Sequence, residues 1–247
     1  MEEGIHIALS PYVLGEFWGL PITSTLFTSW IVVILLLVAA FFFGKNLKMV
    51  PGKAQVALEG VVGGTLGYME EVLEDKALAR KYFPLVITIF LYIATANLIG
   101  LFPFIGAIGI HAEDGHGLIP LFYPVNTDLN VPLALAVIAF VTIEFAGITA
   151  MGFLKYAGKF VNFKSIIGFI VGIIELVSEV ARLLTFSFRL FGNIFAGKVL
   201  ILLALAFLPY ILPVPLLFYE VFVGIVQALI FALLTLFFIK IAVTEPH

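Results

Sequence analysis

The sequence predicts an all-α polytopic membrane protein: a single integral membrane domain, residues 1–247, with five membrane helices, one amphipathic surface helix and a long tilted hairpin made by the last two helices. Three observations carry this. Hydrophobic residues make up 62% of the chain and charged ones 12%, far outside the range of soluble domains. Apolar runs long enough for a ~30 Å hydrocarbon core recur between polar, proline-bearing connections. The basic residues are also clustered. Of 13 Lys and Arg, six lie between Lys45 and Lys81, three between Lys155 and Lys164, one is Lys240, and three fall in a long apolar segment as Arg182, Arg189 and Lys198. By the positive-inside rule, residues 45–81, 155–164 and the C-terminus face the cytoplasm, and the N-terminus and the 104–128 loop face outside.

The same composition excludes several classes. There is no cysteine, so neither a disulfide framework nor a thiolate metal site is available. A net charge of −3 argues for no nucleic-acid partner. The acidic start Met1-Glu-Glu-Gly-Ile-His lacks the basic region of a signal peptide, so insertion is expected to use the first membrane helix.

In chain order, residues 1–20 form an outside arm with Pro11 and the interfacial aromatics Tyr12, Phe17 and Trp18. Leu26 to Phe43 is an uncharged span, with Trp30 as a belt residue. Between Pro51 and Lys81, Leu58, Val62, Leu66, Met69 and Leu73 recur at helical spacing opposite Glu70, Glu71, Glu74 and Asp75. That pattern predicts a surface helix over about 54–80. Gly60/Gly64 and Gly63/Gly67 have small-xxx-small spacing, which suits a partner helix. The second span runs from 84 to 103, with Asn97 as a satisfied structural amide. In the outside loop, His111, Glu113, Asp114 and His116 have loose spacing beside Gly115 and Gly117. A solvated loop fits this better than a metal site; no metal or cofactor is expected anywhere. The third span covers about 131–151, with Thr127 or Asp128 as cap. Glu144 lies well inside it, either as a buried partner for another helix or as part of an ion path. After the 155–164 loop come the long segment 166–208, a turn at Pro209–Pro215, and the last span, about 216–241. Glu220 and Gln227 stand one heptad apart on that span and share a face.

Parity sets the shape of the long segment. Lys155–Lys164 and Lys240 are on one side, so an even number of crossings separates them; the last span is one, leaving one for residues 166–208. Those 43 residues make about 65 Å of helix, twice the hydrocarbon thickness. A single crossing of that length must tilt strongly or bend at Gly192 or Gly197, against something large supplied by a partner.

That segment also holds the densest intramembrane charge. At about 100° per residue, Glu175, Glu179, Arg182, Arg189 and Asn193 fall within roughly ±40° of one line, with Ser178 and Gly197 beside it and Lys198 elsewhere. A charge in hydrocarbon costs at least ~2.5 kcal/mol, which one shared wet groove relieves. Internal pairing is the bland reading for Glu179–Arg182. It fails for Arg189, which has no acid three or four residues away. The inner half of the helix offers Glu175, Ser178 and Glu179; the outer half offers Asn193 near Glu220 and Gln227. Two polar clefts interrupted by a fixed cation suit ion transfer through offset half-channels, with a moving carboxylate on the partner as carrier. Arginine suits the barrier because it stays protonated and favours an ionised carboxylate.

The run Arg189-Leu-Phe-Gly-Asn-Ile-Phe-Ala-Gly197 closely resembles the signature of subunit a of the bacterial-type F-type (F1Fo) ATP synthase. So do Pro84-Leu-Val-Ile-Thr-Ile-Phe, Asn97-Leu-Ile-Gly-Leu-Phe-Pro103, Thr127-Asp-Leu-Asn-Val-Pro-Leu-Ala-Leu135 and Gln227-Ala-Leu-Ile-Phe231. The resemblance covers nearly all of the chain after residue 25. It implies five membrane helices plus one along the surface, with the last two curved around a c-ring. The chain is then not an enzyme on its own. It is the ion-translocating stator subunit, partnered by the c-ring, subunit b of the peripheral stalk, the rest of F1Fo and lipid, in a bacterial inner membrane. On the resemblance, Arg189 is the stator arginine, Glu175 matches the acid of the cytoplasmic half-channel, and Asn193, Glu220 and Gln227 match the outer one. Some relatives carry an acid where Lys198 stands and a histidine where Glu220 stands. The resemblance therefore assigns proton exchange to Glu220, with Lys198 pairing either with it or with a lipid headgroup.

Other classes fit less well. A secondary transporter would show internal repeats, and haem would require membrane histidines, whereas His6, His111, His116 and His247 are all in loops or at the ends. A purely structural anchor would not retain an isolated Arg189.

Overall fold

The computed structural model describes residues 11–45, 47–102, 105, 108–111, 118–160, 166–209 and 211–244. Among them, five helices are long and apolar enough to cross a membrane. The protein is an all-α polytopic membrane protein.

A hairpin, β1 (Val13–Phe17) and β2 (Leu20–Thr23), precedes α1 (Ser24–Lys45). Its tip uses Trp18 and Gly19 at positive φ, 53° and 77°, the twist a two-residue hairpin requires. The first span, α1, is almost unburied and touches the rest mainly through Val32, against Ala96 and Val125. It is held instead by polar pins near its start: Thr25 Oγ1 donates to Asp128 at 2.8 Å, and the Ser29 and Tyr92 hydroxyls meet at 2.7 Å.

The surface helix expected over 54–80 is not one element. The structure divides it into α2 (Lys53–Leu73) and α3 (Lys76–Gly100). Glu74 turns left-handed, at φ 56°, and Asp75 caps α3 by accepting from Ala77 N at 2.6 Å and Leu78 N at 3.1 Å. An aspartate two or three residues before free helix N–H groups satisfies donors that an unbroken helix would satisfy internally. Lys76, Arg80 and Lys81 therefore belong to the second span, and Pro84 lies within it.

A second small hairpin, β3 (Gly109–His111) and β4 (Leu118–Pro120), spans the following loop. Glu113, Asp114 and His116 lie outside the described residues, as do His6, Lys164 and His247. A 3₁₀ turn (Val125–Thr127) leads into α4 (Asn130–Met151), where Asp128 Oδ1 accepts from Asn130 N.

The connection expected as a plain basic loop contains α5 (Phe153–Phe160). It is seated by two glycines. The Tyr156 ring lies where a Cβ of Gly147 would fall, and the Phe160 carbonyl where one of Gly172 would fall. The long segment is one unbroken helix, α6 (Ile166–Phe207), 42 residues or about 63 Å. After a short turn comes α7 (Pro213–Val243), with proline in its first turn. It begins three residues before the expected 216, because proline at N1 forfeits no helix hydrogen bond.

The core is built around α7. Its Ala232, Leu236 and Ile239 pack with Met69, Val86 and Ile143 toward one end of the bundle. Ala228 and Phe231 pack with Ile93, Ala139, Phe186 and Leu190 in the middle. Lys240 Nζ reaches Glu74 at 3.2 Å, tying the last helix to the α2–α3 break. Lys45, Lys159 and Lys240 mark a basic end; Asp128 and the start of α1 mark the opposite one.

Candidate functional site

Polar groups run along the line where α6 passes α4, α5 and α7. They fall into an inner cluster at the basic end, a bare arginine, and a cavity at the far end.

The inner cluster joins three elements. Lys159 of α5 reaches Glu175 at 2.6 Å and Glu179 at 3.4 Å. Glu179, 2% exposed, is also held by Arg182 at 2.6 Å. Arg182 in turn covers the Phe238 ring of α7, its guanidinium carbon 3.9 Å from the ring centre. So the internal Glu179–Arg182 pair does form, while Glu175 stays about one-third exposed with Lys159 as its partner. Glu144 of α4 enters this cluster through Tyr156, whose hydroxyl donates to Oε2 at 3.0 Å. Burial first, then the Glu144 charge, raises the Tyr156 pKa above its usual 10, so the phenol remains a donor. Ser178 is exposed and spends its hydrogen on the Ile174 carbonyl at 2.8 Å, leaving oxygen lone pairs outward.

Arg189 is different. Among the described residues it forms no ion pair, and it is exposed. The next residue, Leu190, is fully buried against Phe186 and Phe231, which fixes the helix rotation and turns Arg189 away from the bundle. It stands 14 residues, about 21 Å of helix, from Glu175.

One turn further on, Asn193 Nδ2 donates to Gln227 Oε1 at 2.6 Å. Gln227 is 3% exposed, and its Nε2 has no partner. Beyond it opens a cavity of about 370 Å³ whose polar lining is Asn97, Tyr123, Asn126, Lys198 and Glu220. Asn97 is bonded at both ends of its amide: it donates to the Gly224 carbonyl at 2.9 Å and accepts from Asn126 at 2.7 Å. Glu220 is 4% exposed and presses against Gly197, where any Cβ would overlap its carboxylate. That close approach is what the glycine provides. Lys198 makes no ion pair with Glu220; its ammonium sits 3.1 Å from the centre of the Tyr123 ring, a cation–π contact. Burial, with Tyr12 adding to it, pushes the Tyr123 phenol up to about 12, so the ring stays neutral beneath the cation.

Sequence reasoning singled out Glu144, Glu175, Ser178, Glu179, Arg189, Asn193, Lys198, Glu220 and Gln227. The structure brings Glu144, Glu175 and Glu179 together, and Asn193 with Gln227. It places Lys198 on the cavity shared by Glu220 without joining the two. Tyr156, Lys159, Tyr123 and Asn126 were missed. Tyr156 and Lys159 share a face only because the connection is the helix α5.

Comparison with known proteins shows the family. The family model described as "ATP synthase A chain" matches residues 26–240. "ATP synthase subunit a" of Geobacter sulfurreducens is 31% identical over 219 residues, covering 89% of this chain and 87% of that one. The protein of the same name from Campylobacter fetus is 32% identical, covering 88% and 89%. A match of this length and identity, over five helices apolar enough to cross a membrane, is decisive: the chain belongs to the ATP synthase subunit a family.

Proposed function

We propose that the chain is the stator subunit of the Fo proton channel. In this reading it provides two offset half-channels that load and unload protons on the rotating c-ring carboxylates, with Arg189 between them. The observation that carries it is the position of Arg189: exposed and unpaired among the described residues, on the open side of α6, between an acidic cluster at one end and a Glu220 cavity at the other.

Residues of this chain support each part of the reading. A proton from the basic-end side meets Glu175, then Ser178, on an exposed face of α6. A proton from the other side enters the cavity, meets Glu220, and passes Gln227 and Asn193 toward the same face. Neither route continues past Arg189, because a fixed cation repels a proton and releases one from any carboxylate brought alongside. The carrier is the c-ring carboxylate. Rotation takes it from one cleft to the other, and its ionised form pairs with Arg189 in between.

The partners follow. The c-ring covers the Arg189–Asn193 face, where Leu200 and Leu203 are exposed. Subunit b and the rest of F1Fo hold the chain still, and α2 offers them an open glycine face, since among the described residues no other part of the chain comes within 4 Å of where a Cβ would stand on Gly60, Gly63, Gly64 or Gly67. The basic end faces the cytoplasm of a bacterial inner membrane, the C-terminus with it and the N-terminus outside, and ATP chemistry belongs to the rest of the complex. R189A is expected to abolish ATP-driven proton pumping in reconstituted complexes that still assemble, and to admit passive leak. Normal coupled pumping by an assembled R189A complex would sink the mechanism.

A further inference from the structure

The inner cluster has one hydrogen too few. Glu144 Oε2 accepts from Tyr156, but Oε1 is shut off from solvent and has no donor. The group within hydrogen-bonding reach on the α6 side is another carboxyl, that of Glu179. Both Glu179 oxygens already face cations, Oε2 toward Arg182 and Oε1 toward Lys159. Two carboxylates in contact inside a low-dielectric bundle repel, and an unsatisfied buried acceptor costs ~1–3 kcal/mol. Charge leads to the same place. The groups in contact are Glu144 from α4, Lys159 from α5, and Glu175, Glu179 and Arg182 from α6; α7 contributes the Phe238 ring. Among the described residues in contact, three carboxyls meet two cations. Lys155, also on α5, lines the neighbouring cavity with Met151 and Tyr156.

We propose that Glu144 and Glu179 form a proton-holding carboxyl pair beside the inner cleft, in which Glu144 carries the hydrogen and donates it to Glu179. One hydrogen supplies Glu179 with a donor, removes the repulsion, and balances the three carboxyls against Lys159 and Arg182. Tyr156 is the positioning residue: it holds the other Glu144 oxygen and so turns the acidic one toward α6. Its own seat is the bare Cα of Gly147. A metal ion is a poor substitute, because Lys159 and Arg182 occupy the Glu179 oxygens it would need. The exchange is a simple one: Glu144 takes H⁺ from cleft water or gives it back, passing between carboxyl and carboxylate. The pair stands on the geometry of three helices, whereas its use as a proton store beside a transport path rests on the half-channel reading above.

Infrared difference spectra of the assembled complex, in H2O and D2O, test it. Wild type minus E144Q is expected to show the C=O stretch of a protonated carboxyl, moving down in D2O. Y156F is expected to retain that band at a displaced frequency, because the carbonyl oxygen has lost its phenol donor. The pair is overturned if wild type and E144Q do not differ in that band, or if Y156F leaves it unmoved. Should E144Q fail to assemble, the Y156F shift alone decides. Proton pumping by the same E144Q complexes separates the two claims. A band with unimpaired pumping keeps the pair and removes it from the transport path. No band with impaired pumping contradicts the pair and leaves the half-channels standing.

Discussion

Glu220 illustrates what a single side chain must do here. It is nearly enclosed, 4% exposed, yet it borders a cavity of about 370 Å³ that also holds Asn97, Asn126 and Lys198. Its expected alternative role, an ion pair with Lys198 locking the last two helices, is not formed; Lys198 lies on Tyr123 instead. In the proposed role this carboxyl exchanges protons with the cavity, and one heptad of rise, about 10 Å, separates it from Gln227. E220Q is therefore expected to slow ATP-driven proton pumping on the order of a hundredfold, the scale of a lost general acid–base group, with the complex intact. E220H is expected to retain part of the flux, because imidazole also exchanges protons near neutrality. Pumping at the wild-type rate by E220Q, or loss of assembly as its only defect, contradicts the exchange role. Arg189 and Glu220 were legible in the sequence because a charge inside an apolar run is conspicuous. Lys159 was not: a lysine following a span reads as a topology marker, and only the fold shows it turning inward to Glu175.

At the scale of elements, the apolar spans were readable because hydrocarbon demands about twenty apolar residues in a row, and α6 because no proline interrupts 42 residues. The stripe from Glu175 to Asn193 followed from helical period alone. The α2–α3 break did not, since apolar periodicity continues through Leu66, Met69 and Leu73 and hides a local event. The signal available was Asp75 just ahead of Ala77 and Leu78, whose N–H groups it caps. D75A is expected to cost about 1 kcal/mol, read as a lower unfolding midpoint of the detergent-solubilised complex. D75N is expected to recover most of it, as asparagine caps equally well. An unchanged midpoint for D75A would mean that packing of Leu73 and Tyr82 alone holds the break.

For the whole molecule, α7 packs against α3, α4 and α6, so α6 is supported on one side only. The unsupported side carries Arg189 and Asn193, both exposed. A helix of about 63 Å that exposes Arg189, without an ion pair among the described residues, makes sense beside a large partner that supplies the missing contact. The Glu175–Glu179 cluster and the Glu220 cavity lie at opposite ends of that line, as the proposed half-channels require. The chain contains no cysteine, so single cysteines report accessibility without interference. In assembled complexes in sealed vesicles of known orientation, S178C and E175C are expected to react with a membrane-impermeant thiol reagent only from the face bearing Lys45 and Lys240. N193C and E220C are expected to react only from the opposite face. Labelling of both pairs from the same face would contradict two offset half-channels separated by Arg189.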